Sequence, residues 1–318
     1  MNTITNIPAG VDAFYSKSLL IRAVSNFVHT RWAQVRDLPK NSGEQIRFRR
    51  YGNFAAATTA LTEGITPAGK DASITDITAA PLQYGDFVVL TDKLLFTTLD
   101  PVLTEMSEVM GDQAGDTLDQ LTRDVMLAGS TIQYASSATQ RTEVTSSMKL
   151  NAAEIREAVM TLQEAKAKPI TRMIDPSDMY NTVPVGACYI GIITPRTLRD
   201  LKQESAWVPV YKYSNPAERM PDEKGSIDEV RFVASPNAKV FTGGGDSGID
   251  VHGTIIFGRD YYGISRVTGE AMRNIVKPLG SAGTSDPLDQ RATSGWKATF
   301  VAKRLNEAFA VRIEHAVS

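Results

Sequence analysis

The chain has 318 residues, 42% of them hydrophobic and 22% charged, which is enough apolar material for one large domain or two modest ones. Lys+Arg 34 against Asp+Glu 36 leaves a net charge of −2, which excludes bulk polyelectrolyte attraction to nucleic acid or an anionic membrane and makes any charge logic local. The one cysteine, Cys188 in ACYIGII, excludes an intrachain disulfide or a thiolate metal cluster and reads as a buried thiol in a reducing compartment.

The start of the chain lacks a basic segment followed by an unbroken apolar run, and no stretch approaches the ~20 apolar residues that span a bilayer. The reading is a soluble chain, cytoplasmic at synthesis. In VDAFYSKSLLIRAVSNFVHTRWAQV, Phe14, Ile21, Val24, Val28 and Trp32 roughly share a helical face, either docked on the chain's own core or packed on a neighbouring subunit. IRFRRY then alternates like a strand, with Ile46, Phe48 and Arg50 on one face and Arg47, Arg49 and Tyr51 on the other. A Thr/Ala/Gly/Pro-rich stretch follows from Ala55 to Ala80 before QYGDFVVLTD returns to strand-like sequence. Two strands near 46 and 88 thus flank an excursion too long to be an idle connection.

DPVLTEMSEVMGDQAGDTLDQLTRDVMLAG predicts a helix over about 101–128. Asp100 is its cap, Pro101 its first residue and Gly129 its left-handed stop. At 1.5 Å per residue it measures about 42 Å, an architectural rod. Leu103, Met106, Met110, Ala114, Leu118, Leu121 and Val125 form its apolar stripe, while Glu105, Glu108, Asp112, Asp116 and Asp119 form a ladder of carboxylates. Such like charges repel unless they are solvated or faced by cations, and only Arg123 is supplied by the helix itself. Gly111 and Gly115 each cost ~1 kcal/mol in a helix, so a close backbone approach or a bend is expected there.

NAAEIREAVMTLQEAKAK predicts a helix stopped at Pro169, and CYIGIITPRTLRDLK a buried strand turning into a short helix. DEVRFVASPNAKVF, GTIIFGRDYYGISRV and WKATFVAKRLNEAFAVRIEHA read as strands, giving an α+β rhythm without repeats.

No chemical motif survives its context. GITPAGKD, from Gly64, has Asp71 where a phosphate loop needs Ser or Thr, and Pro67 removes an amide. GGGDSG, Gly243 to Gly248, leads into a strand and so reads as a hairpin turn rather than a dinucleotide loop. His29, His252 and His315 are scattered and no nucleophile elbow occurs, so neither catalytic residue, metal site nor cofactor is assigned. RFRRY is compatible with a solvated strand, a nucleic-acid contact or a protein partner, and its alternation makes a basic rib rather than a stacking platform.

Taken in order, VDAFYSKSLL, LPKNSGEQIRFRRY, TTALTEGITPAG, QYGDFVVLTD, the long helix, GSIDEVRFV and GSAGTSDPLDQRATSGWKATF span nearly the whole chain. As a set they resemble the major capsid proteins of tailed bacteriophages with the Hong Kong 97-type fold, most of all the coliphage N-four-like family. The resemblance implies an N-terminal arm (1–38), an extended loop hairpin (39–95), a peripheral domain with a spine helix (96–149), an axial domain (about 150–260) and a return to the peripheral domain (261–318). It implies a non-enzymatic, self-assembling shell of hexamers and pentamers enclosing double-stranded DNA, touched without base readout, in a virion built in the host cytoplasm. Scaffold, portal and decoration proteins are the further partners it implies. It also puts Lys70 in the loop, where some relatives carry a cross-linking amine. An encapsulin-type compartment and a nucleotide-binding enzyme are the alternatives.

An extended loop of this family lies across a neighbouring subunit, which suggests a partner for the basic rib. Residues 36–51 hold five basic and two acidic residues, and residues 100–128 seven acidic and one basic. The expected inter-subunit contact therefore sets Arg47, Arg49 and Arg50 against Glu105, Glu108, Asp112, Asp116 and Asp119 of an adjacent spine helix.

Overall fold

In the computed structural model the expected rod is a single helix from Val102 to Leu127. The structure describes Leu19 and residues 27–39, 45–98 without 53, 55, 62, 65, 67 and 68, 102–174, 182–213, 219–267, 272–281 and 286–318. Asp100, Pro101, Phe14, Ile21 and Val24 lie outside them.

Along the chain run β1 (Gln34–Leu38), β2 (Ile46–Tyr51), β3 (Ile74–Ala79), β4 (Leu82–Thr91), α1 (Asp92–Thr97), the rod α2, β5 (Ile132–Tyr134), α3 (Ala152–Glu164), β6 (Ile170–Ile174) and β7 (Thr182–Ile193). After them come α4 (Pro195–Leu201), β8 (Val208–Pro209), β9 (Glu223–Ile227), β10 (Val230–Ala234), β11 (Val240–Phe241), β12 (Val251–Phe257), β13 (Tyr262–Val267), β14 (Arg273–Lys277), β15 (Arg291–Arg304) and β16 (Ala310–His315).

One five-stranded sheet is organised by β15, whose 14 residues pair antiparallel with β4 along one edge and with β13 and β14 in turn along the other. Parallel pairing of β1 to β13 completes it. A nine-stranded sheet follows the order β5-β16-β12-β7-β10-β9-β8, with β11 on β12 and β6 on β7. β2 and β3 stand apart as a two-stranded ribbon.

The strands near 46 and 88 are β2 and β4, and the excursion between them carries a strand of its own. The partner of β2 is β3, drawn from the supposed small-residue excursion, in a register that sets Phe48 opposite Ile77 and Arg49 opposite Asp76. β4 instead joins the β15 sheet. Ile74, Ile77 and the β-branched Thr75 and Thr78 suit a strand, but their spacing among Ala, Gly and Pro masks the signal.

α2 buries Met110, Ala114, Leu118 and Met126 on the expected stripe. They join Phe257, Tyr261, Tyr262, Trp296 and Phe300 in a core that runs from the rod into both sheets. A fully buried side chain of this size contributes about 2 kcal/mol. A second core packs Ile155 and Leu162 of α3 against Phe232, Ile256 and Ile313 of the larger sheet. α3 starts on an Asn151 cap whose side chain accepts from the Glu154 amide, and α4 on a Thr194 cap followed by Pro195.

Gly129 does not take the left-handed stop expected of it, since it is absent from the residues with positive φ. Side chains satisfy the end of α2 instead. Arg304 Nη1 donates to Val125 O at 2.9 Å, Tyr261 Oη donates to Met126 O, and Arg312 donates to Leu127 O. Two cations thus sit at the negative end of the helix dipole, and no glycine turn is required.

The C-terminal part of the expected N-terminal helix is not helical. Val28 to Trp32 form turns, with Val28 and Trp32 buried in the main core. Leu19, helical and fully buried, lies so close to α2 that a Cβ on Gly111 would sit 2.6 Å from its carbonyl oxygen. Close backbone contact is the reason for this glycine, as its cost in a helix suggested.

Candidate assembly surfaces

The β2–β3 ribbon carries the arginines out from the core. Ile46 and Phe48 turn inward onto Leu38, Ala79 and Leu305, leaving Arg47 and Arg49 exposed on the opposite face. Arg50 continues the inward face beyond the end of that small core and is exposed too. Part of the charge is used locally: Arg49 pairs with Asp76 across the ribbon at 3.3 Å, and Arg36 Nη1 donates to Arg47 O at 2.7 Å.

The carboxylate ladder is not one uniform solvated face. Glu105 is exposed, Glu108 and Asp112 are half-buried, and Asp116 accepts from Asn237 Nδ2 at 3.1 Å. Asp119 is a correction. It is wholly buried, and its carboxylate accepts the backbone N–H groups of Val28 and His29 at 2.8 and 2.7 Å, with His29 Nδ1 2.7 Å from its other oxygen. Burial pushes this carboxyl up, but the charge of His29 and the hydrogen bonds outweigh it and leave it below the ordinary range. The position follows from the rod's geometry: 119 lies one residue from Leu118 and four from Gly115, on the edge that faces the core. It fastens the N-terminal segment and is unavailable to a partner.

A surface that the arginine and carboxylate patterns do not announce lies on the outer side of the β15 sheet. Phe87, Val89 and Ile275 are exposed there, around a trough of about 540 Å³ that also touches Trp296 and Lys297. Gly295 forms its floor, since a Cβ at that position would lie 2.7 Å from Phe87 Cβ. The alternation in QYGDFVVLTD was the available signal: every second residue faces outward, and two of them are large and apolar.

The dismissed motifs fall into place. GITPAGKD is followed by β3 rather than a helix, so no helix N-terminus awaits a phosphate. GGGDSG is the turn between β11 and β12, with Gly243, Ser247 and Gly248 at positive φ. His252 and His315, 63 residues apart, are brought opposite one another by β12–β16 pairing, with ring centroids 6.2 Å apart. Thr194 and Thr254 hydroxyls partner their nitrogens, and among the described residues no group of His, Cys, Asp or Glu is arranged to hold a metal. Lys70 is exposed in the single chain.

No protein family and no curated protein matches the sequence. Solved structures do match. The architecture is the Hong Kong 97-type capsid fold, an α+β arrangement of a long helix against mixed sheets. A chain in the capsid of Ralstonia phage GP4 superposes with a TM-score of 0.68 at 11% identity, over 89% of this chain and 87% of that one. Chains in the capsid of cyanophage Pam1 (0.65, 15% identity, 93% and 92%) and in the head of Helicobacter pylori bacteriophage KHP40 (0.63, 12% identity, 89% and 87%) match in the same way.

Proposed function

We propose that this chain is the major capsid protein of a tailed bacteriophage. Many copies close as hexamers and pentamers into an icosahedral head around double-stranded DNA, and no catalytic step is involved. The observation that carries this reading is the extent of the likeness, about nine-tenths of both chains in each of the three phage heads. A shared catalytic domain would match in part; a shell subunit is conserved in shape throughout because every face is constrained by a neighbour.

On this reading residues 1–38 are the arm, the ribbon in 39–95 is the extended loop, α2 is the spine of the peripheral domain, about 150–260 form the axial domain, and 261–318 return to the periphery. The coliphage N-four-like family is the proposed branch, with scaffold, portal and decoration proteins as further partners and the host cytoplasm as the place of assembly. Arg47, Arg49 and Arg50 are assigned to the carboxylates Glu105, Glu108, Asp112 and Asp116 of a neighbouring rod, Asp119 being withdrawn for its burial. The exposed sheet face around Phe87 supplies apolar area at the same kind of contact.

Negative-stain electron microscopy of the protein expressed alone, with light scattering for mass, tests the reading. Shells, tubes or capsomer rings are expected. A monomer that remains single even when scaffold is added would overturn it, and measurable ATP or NAD binding would point to an enzyme.

A further inference from the structure

Arg50 stands over a cleft of about 490 Å³ between the inward face of the β2–β3 ribbon and the turn that ends α3. Segments far apart in sequence meet there: Arg49, Arg50 and Tyr51 from β2, Lys166 and Lys168 after α3, Arg259 and Asp260 between β12 and β13, and Leu305 and Phe309 near the end of the chain. Arg259 and Asp260 pair at 3.4 Å, and Arg49 pairs with Asp76. Among the described residues Arg50, Lys166 and Lys168 form no ion pair, and all three are exposed. The cleft is therefore basic at its rim, and on its walls Ile77 and Phe309 show a half-buried apolar patch with Phe48 and Leu305 buried behind it.

Its frame is fixed. Lys168 O accepts the Arg259 amide at 2.8 Å, and Ala167 O accepts the Tyr189 hydroxyl at 2.9 Å. Lys166 occupies the left-handed position that closes α3, with φ 56, while Ala167 N donates back to Leu162 O. Glycine is the usual residue there, and a side chain costs about 1 kcal/mol. A cation favours any position in a helix's last turn, so the dipole alone does not require lysine at this strained site.

We propose that this cleft seats the acidic start of the rod of a second copy, with Glu105 against Arg50, Lys166 and Lys168, and Val109 against the apolar wall. The inference rests on the capsid reading and adds Lys166 and Lys168 to its contacts. Complementarity selects the occupant. Glu105 and Val109 are four residues apart on one exposed stripe of α2, and Val109 is 51% exposed in the middle of the carboxylates. Their pattern, an apolar side chain among negative ones, mirrors an apolar wall among cations. A phosphodiester backbone would satisfy the rim and leave Phe309 and Ile77 uncovered.

Disulfide trapping tests it, since the native Cys188 is buried and gives no background. Particles of Lys166→Cys/Glu105→Cys, oxidised and run without reductant, should show a ladder of dimers and larger multimers. Co-assembly of the two single variants should give dimers, and each single variant alone should give none. Lys168→Cys in place of Lys166→Cys repeats the test at a position without backbone strain. Particles that form normally but stay unlinked in both versions overturn the inference and leave the capsid reading standing, as does a link confined within one chain. Unlinked particles whose nucleic-acid content falls in Lys166→Glu/Lys168→Glu would give the cleft to DNA instead. If the unaltered protein forms no particles under any condition, the capsid reading itself fails, and the inference with it.

Discussion

His29 Nδ1 lies 2.7 Å from Asp119 Oδ2, and the pair joins the N-terminal segment to the middle of α2 in a site that excludes water. Tyr262 closes the other side by donating its hydroxyl to His29 O. Asp119→Ala would leave the Val28 and His29 amides and the imidazole without their acceptor. The expected loss is about 3–5 kcal/mol, measured as a lower urea midpoint of the monomer. Asp119→Asn should lose less, because both amides bond the same oxygen and the amide oxygen of asparagine can still accept them, leaving the contact with His29 Nδ1 as the one altered.

Gly111→Ala should also destabilise, although alanine is the better helix former by ~1 kcal/mol. The added methyl meets the Leu19 carbonyl oxygen at 2.6 Å, a backbone atom that cannot rotate away. A net loss of about 1–3 kcal/mol is expected by thermal unfolding. An unchanged or raised Tm would mean that the N-terminal segment does not lie on the rod.

The buried histidines set an acid limit. Burial lowers the pKa of His315 from 6.5 to about 4 and lowers that of His252. In each case the unfolded chain takes up the proton before the folded one. Stability is therefore full above about pH 6.5 and falls as the pH drops toward 4, with His315 alone contributing a loss that approaches about 3 kcal/mol. Asp119, whose pKa is depressed below 3.8, adds its own loss only at still lower pH. Urea titrations between pH 7 and 4 should show the decline, and His315→Gln should flatten it.

Cys188 should resist thiol reagents in the folded chain. Burial pushes its pKa up to about 12, so almost no thiolate exists at neutral pH. Labelling by a chromogenic disulfide reagent should rise from near zero to one equivalent on denaturation. Rapid labelling of the native protein would contradict the core around β7.

Arg47→Glu with Arg49→Glu should leave the fold intact, because exposed pairs such as Arg49 with Asp76 contribute only ~0–1 kcal/mol. Particle yield should fall, and by more at low salt than at high salt. Normal assembly over a range of salt would remove these arginines from the contact.

Much of the architecture was legible in the residues themselves. The rod showed in the spacing of Met110, Ala114 and Leu118, α3 in the stretch NAAEIREAVMTLQEAKAK, and the inward face of β2 in Ile46 and Phe48. These are local signals, carried by period and capping chemistry within one turn or one strand. Gly111 likewise announced a close approach by costing the helix stability.

What pairs with what was settled only by the tertiary fold. β2 pairs with β3 rather than with β4 because β15, more than 200 residues away, supplies β4 with a longer edge. Asp119 reads as one rung of a solvated ladder until His29 and the Val28 amide are brought onto it, and the end of α2 is closed by Arg304 and Arg312 from the far end of the chain. The cations of the Arg50 cleft come from three separate segments. Sequence period fixes which way a side chain faces along its own element, whereas burial and charge pairing depend on what arrives on that face from elsewhere, and no local pattern encodes that.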